Sequence, residues 1–291
     1  MKTESNLSRL IIFALVVLDL LIWQGIIFVK GEESGELYFL DVGQGDSELL
    51  VLPGGVKILT DAGPNQKVLE SLEKVLGPND RYLDLAIISH PQLDHFNGFN
   101  DILNRYRIGA FIFNGRTDAT ALGEWGTLMT KIKEKKIPLI TLASGDKIHF
   151  RENQIEIISP SRDFIQSAEL NDTGLVELVK TPAFRALLTA DIGANVENYL
   201  LKKFSTEDLQ ANILKVGHHG SKFSSSEDFL KTVEPKVAII EVGSKNRYGH
   251  PTKEAMGRLE ATGISKIFRT DKNGTIKVIA EQGRLRVFKV H

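Results

Sequence analysis

The chain has 291 residues, 42% hydrophobic and 25% charged, enough for one large core or two small ones, and this balance excludes wholesale disorder. Its formal net charge of −1 is unevenly spread: from Lys215 to His291 there are 15 Lys/Arg against 8 Asp/Glu, a basic third that suits either a polyanionic partner or a solvated face. There is no cysteine, which excludes disulfides and thiolate metal sites and leaves a metal only His, Asp, Glu or backbone oxygen.

The first element is apolar. Leu10 to Val29 has the length of a bilayer span, roughly 20 residues. Asp19 near its centre costs about 3 kcal/mol on an insertion scale, and the many Leu, Ile, Val and Phe residues, each returning roughly 0.3–0.6 kcal/mol, outweigh it. Lys2 and Arg9 precede the stretch, while Glu32, Glu33 and Glu36 follow Lys30. That bias predicts a cytoplasmic N-terminus over 1–9, a transmembrane anchor over 10–29, a linker over 30–35 and an exported domain over 36–291. The rival is a cleaved signal peptide, which would release a secreted protein. The run is long for that, and Phe28-Val29-Lys30-Gly31 lacks the small-x-small pattern of a cleavage site. A single helix also forms no membrane channel of its own.

After the linker, strand patterns come quickly at Glu36–Val42, Ser47–Leu52 and Val56–Asp61, separated by Gly-rich turns. Asn65–Leu76 reads as an amphipathic helix and Leu83–Ser89 as a buried strand. Alternation continues to Lys136. Short strands then dominate, at Ile155–Ser159, Leu175–Lys180 and Ala183–Asp191. The last third alternates again: strand Ile213–Val216, helix Ser226–Val233, strand Lys236–Val242, helix Lys253–Thr262. Two strand-rich halves, each with helices, predict two sheets packed face to face with helices outside, in one domain.

Five of the seven histidines lie in three short clusters, and each cluster follows an apolar strand. Ser89-His90-Pro91-Gln92-Leu93-Asp94-His95 offers imidazoles and a carboxylate suited to zinc or manganese. Ala186-Leu187-Leu188-Thr189-Ala190-Asp191 ends a strand in a carboxylate able to bridge two ions, or to cap the next helix. In Lys215-Val216-Gly217-His218-His219-Gly220-Ser221 the flanking glycines allow close backbone approach. The serines that follow, up to Ser226, are either phosphate donors or helix caps. Asn246-Arg247-Tyr248-Gly249-His250-Pro251 gathers an amide, a guanidinium, a phenol and an imidazole. Such a set fits anion recognition or protonation of a leaving group, or simply a polar loop. Strand ends on one side of a sandwich converge, so four such clusters together point to one site.

These residues resemble the metallo-β-lactamase superfamily through His-x-x-x-Asp-His with a downstream Asp and His. More closely, Phe39-Leu40-Asp41-Val42-Gly43-Gln44-Gly45-Asp46-Ser47, Leu59-Thr60-Asp61-Ala62-Gly63, Lys215 to Ser221, Asn246-x-Tyr248-Gly249-His250-Pro251 and Arg269-Thr270-Asp271-x-Asn273-Gly274 are similar to the hydrolase domain of ComEC-type DNA-uptake proteins. The resemblance runs from Glu36 to the C-terminus. It implies an αββα four-layer sandwich, preceded here by the transmembrane helix. It also implies a centre of one or two zinc or manganese ions, and phosphodiester hydrolysis. By position His90 would serve the first ion, Asp94, His95 and His218 the second, and Asp191 would bridge them. Asp61 would sit beneath and hold a ligand. His219, Ser221, Asn246 and His250 would face substrate, with Asp94, Asp191 and His250 carrying the chemistry.

Three departures stand out. Gln92 replaces a usual Asp or His, so the first ion should bind weakly. Thr189-Ala190-Asp191 replaces Thr-Gly-Asp. Asn171-Asp172-Thr173-Gly174 stands where an Asn-rich segment commonly ends in Ser. The leading expectation is a nuclease for single-stranded DNA, displayed outside the membrane, with any uptake channel supplied by separate proteins. The alternatives are hydrolysis of a small ester, lactone or amide, and a non-catalytic surface-displayed binding module with a degenerate metal site.

Overall fold

A computed structural model describes residues 9, 11–20 and 35–290. Residues 11–20 are helical. Most of the expected 1–9 segment, half of the expected 10–29 anchor and nearly all of the 30–35 linker lie outside the described residues. Among the described residues no helix is long and apolar enough to cross a membrane. Ser34–His291 forms one compact unit.

Among the described residues its fifteen strands make two sheets. The first contains β1 (Glu36–Phe39), β2 (Glu48–Leu52), β3 (Val56–Thr60), β4 (Tyr82–Ile88), β5 (Arg107–Phe113), β6 (Leu139–Thr141), β14 (Thr275–Glu281) and β15 (Arg284–Val290), in the order β15-β14-β1-β2-β3-β4-β5-β6. The second contains β7 (Lys147–Phe150), β8 (Asn153–Ser159), β9 (Val176–Lys180), β10 (Arg185–Leu188), β11 (Ile213–Lys215), β12 (Val237–Ile240) and β13 (Lys266–Arg269), in the order β13-β12-β11-β10-β9-β8-β7. Strands β3 to β6 are parallel, as are β10 to β13.

The near-continuous apolar runs follow from burial on both faces. In β10, Ala186 and Leu188 enter the layer between the sheets with Phe39, Ile87 and Ile239, whereas Leu187 faces the helix layer with Val196, Leu200 and Phe229. The first sheet divides the same way: Ile58 and Ile87 face inward, while Leu59 and Phe111 pack on Leu72, Phe99 and Trp125 of the outer helices. Burying each large apolar side chain contributes about 1.5–3 kcal/mol. The four expected layers are present, with one correction: the first sheet is completed from the C-terminus. The β14–β15 hairpin pairs antiparallel with β1, Glu36 opposite Ile279, so the two sheets are not two consecutive halves of the chain.

The parallel arrangement matters most for the site. Strands β3, β4, β10, β11 and β12 each end within three residues of a polar residue or cluster: Asp61, Ser89-His90, Asp191, the His218-His219 loop and Glu241. C-terminal ends of parallel strands are where ligand sites form.

Candidate metal centre

Three buried imidazoles share one arrangement. His95 Nδ1 lies 2.7 Å from Asp61 Oδ2, His219 Nδ1 2.8 Å from the Glu241 carbonyl oxygen, and His90 Nδ1 2.9 Å from Ser89 Oγ. In each ring Nε2 is buried without a hydrogen-bond partner. A proton held on Nδ1 by an oxygen acceptor leaves the Nε2 lone pair free, the usual state of a metal-binding histidine. Asp191 Oδ2 sits 3.3 Å from His95 Nε2 and 3.4 Å from His219 Nε2, and Asp94 Oδ2 lies 3.4 Å from His219 Nε2. Ligand atoms of His90, His95 and Asp191 fall within 4.8 Å of one another, as do those of Asp94, His95 and His219. Orphaned nitrogens around a buried carboxylate fit a divalent cation.

The carboxylates draw positive charge to this centre. Burial alone would raise Asp191 and Asp94, but hydrogen bonds and charges from His219 and His95 override it, holding Asp191 far below the carboxylate range and Asp94 at about 2. Burial pulls His95 and His219 down, and Asp191 with Asp61 or Asp46 outweighs it, so both stay well above an ordinary imidazole. Burial, with the charge of His95, drops His90 to about 4, leaving a neutral ligand.

Beneath these groups lies a set that the sequence reading missed. The Lys215 ammonium is completely buried; it donates to the Ala190 carbonyl oxygen (2.6 Å), pairs with Asp46 Oδ2 and lies 3.6 Å from Asp191 Oδ1. Burial would lower its pKa, but Asp46 and Asp191 raise it instead, so it is charged throughout the working range. Asp46 also reaches His219 Nδ1 at 3.2 Å. Asp46 is placed by Gly45, whose φ of +144° and missing side chain allow the loop to close on Asp94: a Cβ there would lie 2.2 Å from the Asp94 carbonyl oxygen. The signal was available, since a lysine inside the apolar run Ile213–Val216 must either face solvent or have a buried partner.

The two adjacent histidines divide their roles differently from the expectation. His219 joins the buried group, whereas His218 is 33% exposed in side-chain area, its Nε2 3.9 Å from Asp191 Oδ2, and its ring stacks on His250 with centroids 5.6 Å apart. Burial is the main cause lowering both His218, where it outweighs the opposing charge of Asp191, and His250, where nearby positive charge adds to it, so both rings favour the neutral form. Gln92 Nε2 donates to Asn171 Oδ1, and Asn171 Nδ2 lies 3.3 Å from His218 Nδ1.

Some expected substrate groups are turned inward. Ser221 is buried and its hydroxyl accepts from the Phe223 N–H at 3.3 Å. Ser224 donates to the Gly217 carbonyl oxygen, and the N–H groups of Ser225 and Ser226 both donate to the Glu197 carboxylate. Ser221, Ser224 and the backbone of Ser225 and Ser226 hold the turn together. The Asn246 amide is likewise occupied inside its own loop, donating to the carbonyl oxygens of Gly243 and His250 and accepting from the His250 N–H. It holds up a tip carrying Arg247 and Tyr248.

The sequence profile of the metallo-beta-lactamase superfamily matches residues 40–243, which contain all of the buried ligand groups. The chain belongs to the metallo-beta-lactamase superfamily. Among curated relatives it is 28% identical over 275 residues to ComE operon protein 3 of Bacillus subtilis, covering 89% of this chain and 34% of that one. It is 29% identical over 274 residues to competence protein ComA of Neisseria gonorrhoeae, covering 89% and 35%. The chain thus spans about a third of the length of these ComEC-type competence proteins. Its fold is also that of a metal-dependent hydrolase of the beta-lactamase superfamily, with a TM-score of 0.53 and 13% identity over 81% of this chain and 95% of that one. As a metallo-beta-lactamase-fold hydrolase, the chain has the architecture of a divalent-metal enzyme, and its His/Asp groups fit that cation.

Proposed function

We propose that this chain is a metal-dependent phosphodiesterase acting on single-stranded DNA outside the membrane. The observation that carries the reading is the buried ring of orphaned Nε2 atoms around Asp191, at the base of a cleft of about 790 Å³ whose rim carries Lys245 and Arg247. Similarity to proteins named for competence supports nucleic acid as the substrate. The anchor over 10–29 and its flanking charges support display on the outer face, with any uptake channel contributed by separate proteins.

His95, His219, Asp94 and Asp191 would hold a zinc or manganese ion, and His90 would serve a second, weaker position, because Gln92 beside it is a neutral amide already paired with Asn171. A divalent cation there supplies Lewis-acid chemistry, easing the ionisation of water and neutralising charge on the phosphoryl oxygens. The chain's own groups supply orientation. Asp61 and the Glu241 carbonyl fix the rings of His95 and His219. Asp46 and Lys215 fix the floor. His250 lines the cleft as a neutral ring and would stabilise the departing oxygen by a hydrogen bond from its single N–H, the proton itself coming from water.

The test is cleavage of a labelled single-stranded oligonucleotide by the full chain in manganese or zinc. Asp191→Ala should lower the rate at least about 100-fold, the scale of losing one electrostatic stabiliser. Undiminished cleavage would contradict the mechanism. The Gln92–Asn171 pairing also fits a binding module with a degenerate centre, which predicts no turnover and no more than one loosely held ion.

A further inference from the structure

Two aromatic side chains stand in solvent beside the cleft, and neither has a role in the chemistry above. Tyr248 is 69% exposed and Phe223 68% exposed, although large aromatic rings normally find cover. Tyr248 is at the tip of the loop braced by Asn246. Its ring meets His250 edge-on at 5.9 Å, His250 stacks on His218 at 5.6 Å, and His218 meets His219 edge-on at 6.1 Å, so a series of rings runs from the rim to a candidate metal ligand. Phe223 belongs to a second hollow of about 530 Å³. The two hollows share Asn171, Asp191 and His218, so the two aromatics stand in adjoining hollows that meet at the same centre.

Each ring comes with free positive charge. The Lys222 ammonium lies 5.0 Å from the Phe223 ring centroid, and Lys245 and Arg247 precede Tyr248 in the sequence and line its hollow. Among the described residues none of these three cations is in an ion pair. The Phe223 side also carries Glu169, Asp172 and Glu227; Glu227 is neutralised by Lys231 at 2.6 Å and Asp172 accepts from Ser167.

From this placement we infer that Tyr248 and Phe223 are stacking platforms for two unpaired bases on either side of the phosphate to be cleaved, with Lys222, Lys245 and Arg247 taking the flanking phosphates. The inference rests on the phosphodiesterase reading and deepens it: the site selects strands whose bases are free to splay out. Duplex bases are already stacked and have no face to offer, while every unpaired base does, so such a site discriminates strandedness without reading sequence.

The experiment compares Tyr248→Ala, Phe223→Ala and Tyr248→Trp with the unaltered full chain. Binding is measured in chelator by fluorescence anisotropy on oligothymidylate, an abasic strand of equal length and a duplex. Turnover is measured on oligothymidylate and on a small chromogenic phosphodiester without bases. Each alanine variant should weaken oligothymidylate binding, and raise its KM, about tenfold. Affinity for the abasic strand and kcat on the chromogenic diester should not change, and Tyr248→Trp should restore binding. Unaltered oligothymidylate affinity in both alanine variants, or an equal loss on the abasic strand, would overturn the inference. So would duplex binding as tight as single-strand binding. If no diester is turned over, the nuclease reading fails, and the chelator binding series alone decides the stacking platforms.

Discussion

Beneath the cleft, Asp46, Asp61, Lys215 and Glu241 are sealed from water and each is tied to a neighbour, whereas on its rim Phe223, Lys245, Arg247 and Tyr248 stand in solvent. The floor spends conformational freedom and desolvation on fixing where ligand atoms sit. The rim keeps its charges and rings accessible, so what they contribute is contact with something else. Substitutions in the floor should therefore act through stability and metal affinity, and substitutions in the rim through substrate alone.

The largest break in that comparison should come at Lys215. In Lys215→Met the Asp46 carboxylate stays buried without its cation, and urea unfolding should show a loss of about 3–5 kcal/mol. Adding Asp46→Asn should recover much of it, because a neutral amide tolerates the burial. Tyr248→Ala and Phe223→Ala, by contrast, should change stability by no more than about 0.5 kcal/mol. A floor variant as harmless as a rim variant would remove the distinction.

A smaller effect concerns acids kept neutral in the floor. Burial is the main reason that Glu177, which accepts from Thr60, and Glu241 are raised to about 8. A carboxyl whose pKa is higher folded than unfolded binds its proton more tightly in the native state. Its contribution is therefore complete below about pH 4.5 and is lost as pH rises towards 8. Between those limits each such group should lower stability by up to about 1.4 kcal/mol per pH unit. Glu177→Gln should flatten part of this slope, as read by urea midpoints across the range. An unchanged slope would mean that Glu177 is ionised in the fold.

The layers and most strand ends were legible because apolar runs broken by Gly, His and Asp mark buried strands entering loops. Adjacent histidines were harder. His218 and His219 both adopt positive φ, 48° and 53°, so neither strand alternation nor helical period says which ring turns inward. Pairings distant in sequence were not readable either: Asp46 with Lys215, Ser225 and Ser226 with Glu197, and β14 with β1 depend on topology. The serines looked like phosphate donors because a sequence shows the hydroxyl but not whether a buried carbonyl or carboxylate already occupies that turn.

The most direct test of the central claim is a zinc titration of the full chain by calorimetry, comparing His219→Ala with His218→Ala. The buried Nε2 of His219 predicts that its loss weakens the tightest site by well over about 100-fold, while His218→Ala costs about tenfold, the low end of an outer ligand partner's scale. The reverse order, or equal affinity in both variants, would contradict a centre built on His95, His219, Asp94 and Asp191.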